Sequence, residues 1–127
     1  MGGDEVFQSC FDENPAIAVF MKENSLLNYN DLVNYHISKA RDVLTKINPN
    51  KRALYWSNDD TFYMKYKAND ILVFWGLDAS IQKLKETYPN NSFVFANGDH
   101  YYLDCGYGNK YGGGSWCDPF KTWWDIY

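Results

Sequence analysis

The first ten residues read MGGDEVFQSC, so two adjacent carboxylates, Asp4 and Glu5, follow directly on a pair of glycines. Two acids in one pocket suit glycosidic bond cleavage, where one donates a proton and the other steadies developing positive charge. Other groups further along could join them. Trp56 and Trp75 each close a short apolar run, and Tyr102 and Asp104 stand just past a third such run. Sugar rings stack on indole faces, and sugar hydroxyls and amides pair with carboxylates and phenols. Acids, aromatic walls and a further polar pair together point to carbohydrate chemistry.

Residues so far apart must be brought together by the elements between them. RALYW (52–56), ILVFW (71–75) and SFVFA (92–96) read as short strands of the buried type. NPAIAVFMKEN is a short helix with Asn14 as N-cap and Pro15 in its first turn. NDLVNYHISKARDVLTKI is a longer helix, whose apolar face is Leu32, Val33, Ile37, Ala40, Val43, Leu44 and Ile47, stopped by Asn48-Pro49-Asn50. DASIQKLKETY is a third helix, capped by Asp78 and ended by Pro89. The stretch from Asp59 to Asp70 is a connector with at most one helical turn, CGYGNKYGGGSWC is a loop, and DPFKTWWDIY starts a helix at Asp118-Pro119. Strands alternating with helices predict an α/β fold with a parallel sheet, in which functional side chains gather at the C-terminal ends of the strands. The candidate residues fall at those ends. Neighbours in a regular strand face opposite ways, so Asp4 and Glu5 can share a pocket only if Gly2 and Gly3 bend the chain.

Composition bounds the rest. The 127 residues allow one domain, and 46% hydrophobic with 19% aromatic residues supply a core. A net charge of −4 offers no basic face for nucleic acid, no apolar run reaches a membrane span, and no signal peptide is expected at the N-terminus. Three cysteines and the sequon Asn90-Asn91-Ser92 lean toward the secretory pathway.

GGDEV, NPAIAVFM, LYW, FW, YYLDCGYGN and WCDPFKTW, in this order from Met1 to Tyr127, resemble the β-N-acetylhexosaminidases of glycoside hydrolase family 20. The resemblance implies part of a TIM (β/α)8 barrel, with about half of the strands present, from the end of strand four to just before strand eight. On that resemblance Glu5 is the general acid and Asp4 holds the acetamido N–H and stabilises the charged intermediate. Tyr102 binds the acetamido carbonyl, Trp56 and Trp75 wall the acetamido pocket, and Asp104 accepts from outer hydroxyls. The nucleophile is the substrate's own acetamido oxygen. No cofactor and no metal are expected. The resemblance also implies a disulfide between Cys105 and Cys117, an amino-sugar glycan or glycoconjugate as substrate, a lysosomal or secreted location and a homodimer in the full-length form. The chain lacks the family's His before the glycines, its upstream Arg, the eighth strand's Trp and the upstream partner of Cys10.

Plainer readings stand beside these. Asp4-Glu5 alone is an exposed turn by default, and Trp56 and Trp75 alone are core aromatics; the ordered matches downstream favour the site. His36 is a surface or half-buried helix residue, and His100 carries no assigned role. Trp116, Trp123 and Trp124 read as packing residues, with the lining of an outer subsite as the alternative for Trp116. The glycine-rich loop lacks the Lys-Ser/Thr ending of a phosphate loop. A non-catalytic carbohydrate-binding or scaffold remnant is the competing function. A nucleotide cyclase, which GGDEVF brings to mind, needs a hairpin and upstream metal-binding strands, and the chain supplies neither.

Overall fold

Three four-residue strands form the frame that positions the candidate site: β1 (Leu54–Ser57), β2 (Ile71–Phe74) and β3 (Ser92–Phe95). The computed structural model describes residues 1–103, 105 and 121–126. The strands lie in the order β1-β2-β3, all parallel, with Trp56, Val73 and Val94 abreast. The expected α/β architecture with a parallel sheet is therefore present. Met1 adds one further parallel rung beside β1: its amino group donates to the Leu54 carbonyl, and the Trp56 N–H donates to the Met1 carbonyl at 3.3 Å. Among the described residues the N-terminal stub is that rung and not a strand.

One face of the sheet carries the core. Tyr55, Leu72 and Phe74 are buried against Leu84, Tyr88, Met64, Val33 and Ile37. The other face holds Leu54, Trp56 and Val94, each about half exposed. The expectation of strands buried on both faces is corrected: among the described residues only one face has a covering layer. The apolar character of both faces explains why the sequence reads as it does, since period-2 alternation of polarity is missing.

Two of the helices cover the packed face, through Val33 and Ile37 of one and Leu84 of the other. Helix α1 (Pro15–Glu23) begins as expected: the Asn14 side chain accepts from the Ala16 N–H at 3.0 Å, and Pro15 needs no donor at its position. Helix α2 (Tyr29–Ile47) starts one residue earlier than the sequence reading, because Asn28 is the cap and accepts from the Asp31 N–H. Its expected apolar face is corrected at the C-terminal end, where Val43 and Ile47 are 59% and 79% exposed. Arg41 is buried instead, in a salt bridge with the buried Asp70. Burial works against the Arg41 charge, and the bonds to Asp70 and Tyr55 outweigh it, so its pKa lies above the ordinary value.

The β1–β2 connection has no α-helix. It turns once at Asp59–Thr61 in 3-10 geometry and then buries Met64. Tyr66 packs here, its pKa pushed up to about 12 by burial. Tyr88 donates to the carbonyls of Thr61 at 3.2 Å and Met64 at 3.0 Å, tying this connection to the next one.

Asp78 does not cap the third helix, which corrects another expectation. It opens a 3-10 turn (Asp78–Ser80), and helix α3 runs from Ile81 to Thr87, with Pro89 just beyond it. The Asp78 carboxylate is drawn instead to Asn97 and His100, across the sheet end. A one-turn helix α4 (Gly98–Tyr101) follows β3. The helix start at Asp118-Pro119 lies outside the described residues. The described part of that segment is a 3-10 turn, Trp123–Asp125, with Thr122 and Asp125 bonded across it. Trp123 and Trp124 are exposed and stack on each other at 3.8 Å between centroids, so they are not packed into the core.

Candidate functional site

The site begins with a backbone bend. Gly3 has φ +102°, a region that L side chains rarely adopt, and it stands two residues after the rung made by Met1. Gly2 has open space where a Cβ would stand. Gly3 supplies the positive φ of this turn, the bend continues through Asp4 and Glu5, and both acids line one hollow at the C-terminal end of the sheet.

That hollow is a cavity of about 620 Å³ lined by Asp4, Glu5, Trp56, Trp75 and Tyr102. Five of the six candidate sugar-site residues therefore meet in one place. Asp104 and Cys117 lie outside the described residues. A second cavity of about 490 Å³ shares Asp4, Glu5 and Trp75 and adds Gln8, Asn58 and Tyr63. The acids and the Trp75 indole are the common wall of the two.

The ends of β1 and β2 hold the two indoles. Trp56 is the third residue of β1 and 48% exposed, so its indole stands open on the uncovered face. Trp75 follows β2 immediately; its backbone N–H donates to the Ser57 carbonyl at 2.9 Å, extending the ladder by one bond. Its indole Nε1–H donates to Asp4 Oδ2 at 3.0 Å. At the end of β1, Ser57 Oγ and Thr61 Oγ1 share a buried hydrogen bond of 2.9 Å. Gly76 suits glycine, because a Cβ there would stand 2.5 Å from Phe74 Cζ and 2.7 Å from Asp59 Oδ2 and both side chains would have to shift. Tyr102 follows α4, whose first N–H, at Gly98, is shared between the Trp75 and Gly76 carbonyls at 3.3 Å each.

Sequence reasoning missed the polar cluster that fastens this rim. The buried Asn97 donates to Asp78 Oδ1, the Asp78 N–H donates to Asp99 Oδ2 at 2.7 Å, and His100 Nε2 lies 2.7 Å from Asp78 Oδ2. The signal was present as Asn97-Gly98-Asp99-His100, a polar run placed directly after a strand.

Cys105 is fully buried and disulfide-bonded, while Cys10 is an exposed free thiol. Among the described residues no group of three His, Cys, Asp or Glu side chains could hold a metal ion, and no helix is long and apolar enough to cross a membrane.

Comparison with known proteins decides the family. The sequence model described as "Glycosyl hydrolase family 20, catalytic domain" matches residues 1–127. The chain belongs to glycoside hydrolase family 20. Among family 20 relatives, all of this chain aligns at 33% identity with 23% of the chitooligosaccharidolytic β-N-acetylglucosaminidase of Ostrinia furnacalis. It also aligns in full, at 30% identity, with 26% of β-hexosaminidase 1 of Coccidioides posadasii. The α subunit of rat β-hexosaminidase is 28% identical over 68% of this chain. The chain thus spans about a quarter of the length of the first curated relatives it matches. A three-stranded parallel sheet with helices on one face is what part of a family 20 TIM barrel provides.

Proposed function

We propose that this chain carries the acid, the acetamido-binding carboxylate and the aromatic walls of a β-N-acetylhexosaminidase, which removes terminal non-reducing N-acetylhexosamine residues. The observation that carries the proposal is the shared cavity of Asp4, Glu5, Trp56, Trp75 and Tyr102. In this reading β1, β2 and β3 are strands five to seven of the barrel, and the Met1 rung is the end of strand four.

The chemistry follows from the groups present. Glu5 donates its proton to the glycosidic oxygen as the C1–O bond breaks. The substrate's acetamido carbonyl oxygen attacks C1 from the opposite side and closes an oxazolinium ring. Asp4 accepts from the acetamido N–H and so balances the charge that develops on nitrogen, while the Trp75 indole fixes the orientation of Asp4. Tyr102 donates to the acetamido oxygen and aims it. Water, deprotonated by Glu5, then opens the ring at C1 with net retention. An internal nucleophile held in this way gains effective molarities of roughly 10⁵ M or more. The indole walls supply the holding.

A disulfide-bonded Cys105 and an exposed Asn90 in the α3–β3 turn fit synthesis in the secretory pathway, and with it a secreted or lysosomal enzyme acting on glycans. A homodimer of the complete protein belongs to the same reading.

One observation favours a second reading, a carbohydrate-binding module without turnover: the Trp56 wall is half open. Hydrolysis of a chromogenic N-acetylglucosaminide separates the two. In the complete protein Glu5→Gln should abolish turnover while the sugar still binds; turnover by that variant would refute the acid assignment.

A further inference from the structure

His100 has two ring nitrogens and two partners that can only accept. Nδ1 lies 2.9 Å from the backbone carbonyl oxygen of Asp125, and Nε2 lies 2.7 Å from Asp78 Oδ2. A neutral imidazole has one donor and one acceptor, so it can satisfy one of these contacts and not both; the imidazolium satisfies both. The three segments joined in this way are the exit of β2, the turn after β3 and the Trp123–Asp125 turn. The middle segment carries Tyr102 two residues beyond His100, and the first carries Trp75 three residues before Asp78.

We propose that doubly protonated His100 is a positioning residue: it clamps the turn bearing Tyr102 to the strand exit bearing Trp75, so that the amino-sugar pocket keeps its shape in acid and slackens as His100 loses its proton. The role in sugar binding rests on the hexosaminidase reading given above; the clamp itself does not.

The charges around the ring agree. Asp78 faces it from the β2 exit and Asp99 from its own turn. The Asp125 side chain, held by Thr122 and neighboured by Lys121, belongs to the third segment. The Asp78 hydrogen bond is the largest cause of a His100 pKa raised above the ordinary 6.5. A raised folded-state value means that the clamp's contribution is complete below the ordinary pKa and is lost as pH rises through the higher folded one.

The test is a histidine NMR titration of the purified chain, repeated for His100→Gln and Asp78→Asn. His100 should titrate above the ordinary histidine value of 6.5. The Tyr102 and Trp75 signals should move on the His100 curve, and this co-titration should be lost in both variants. N-acetylglucosamine, added as probe, should bind more weakly along the same curve. A His100 that titrates at or below 6.5, or Tyr102 signals that stay flat across its titration, would overturn the clamp. Tyr102 following His100 in a chain that binds no N-acetylglucosamine at any pH would uphold the clamp and remove the sugar-site reading. Sugar binding that ignores the His100 titration would keep that reading and remove the positioning role.

Discussion

The Trp75 indole N–H donates to Asp4 Oδ2 at 3.0 Å across 71 positions of sequence. This bond joins an aromatic wall to an acid and gives the indole a polar duty that phenylalanine cannot perform. A hydrogen bond to a charged group contributes about 1.5–3 kcal/mol, roughly 10- to 100-fold in affinity. Trp75→Phe should keep the fold and weaken binding of N-acetylglucosamine by about that factor. Calorimetric titration checks this, and equal affinity in the two proteins would mean that the bond does not organise the site.

The three glycines at and near the site should respond differently to alanine. Gly3→Ala places a side chain at φ +102° and should cost about 1–2 kcal/mol, mainly through the backbone, because Ile37 at 3.5 Å is an ordinary contact. Gly76→Ala drives a methyl into Phe74 and Asp59 and should cost more. Gly2→Ala meets nothing and should be silent. Thermal unfolding of the three variants gives the order directly.

Much of this arrangement can be read in the chain itself. The short apolar runs at 71–74 and 92–95 became strands because β-branched and aromatic residues favour that geometry, and Asn14-Pro15 announced α1. The acids and indoles fell together because parallel strands deliver their C-terminal ends to one side. What local pattern does not carry is partner choice. Arg41 lies one turn beyond Ile37 on the buried face of α2, where hydropathy places no charge, and it is buried because Asp70 waits 29 residues away. Asp78 has the residue type and position of a helix cap, and its carboxylate is taken by Asn97 and His100 from the turn after β3. Long-range polar pairs override local propensity where the fold holds both partners in place.

The Arg41–Asp70 pair should therefore be the most sensitive polar contact among the described residues. Asp70 also accepts from the Lys67 N–H at 2.8 Å, and Arg41 Nη2 donates to Asn69 at 3.0 Å. Arg41→Met strands a buried carboxylate and should cost about 3–5 kcal/mol, lowering Tm by roughly 10 °C or more. Adding Asp70→Asn should recover part of the loss. Lys65→Met, at the exposed 3.9 Å pair with Asp31, should change stability by about 1 kcal/mol or less.

The whole account depends on one pocket that recognises an acetamido sugar, and heteronuclear NMR of the chain titrated with N-acetylglucosamine, with glucose alongside, tests it most directly. The account predicts that N-acetylglucosamine shifts the indole signals of Trp56 and Trp75 and the ring signals of Tyr102, that glucose does so far less, and that Asp4→Asn removes the difference between the two sugars. Equal responses to both sugars, or shifts confined to residues outside that cavity, would contradict it.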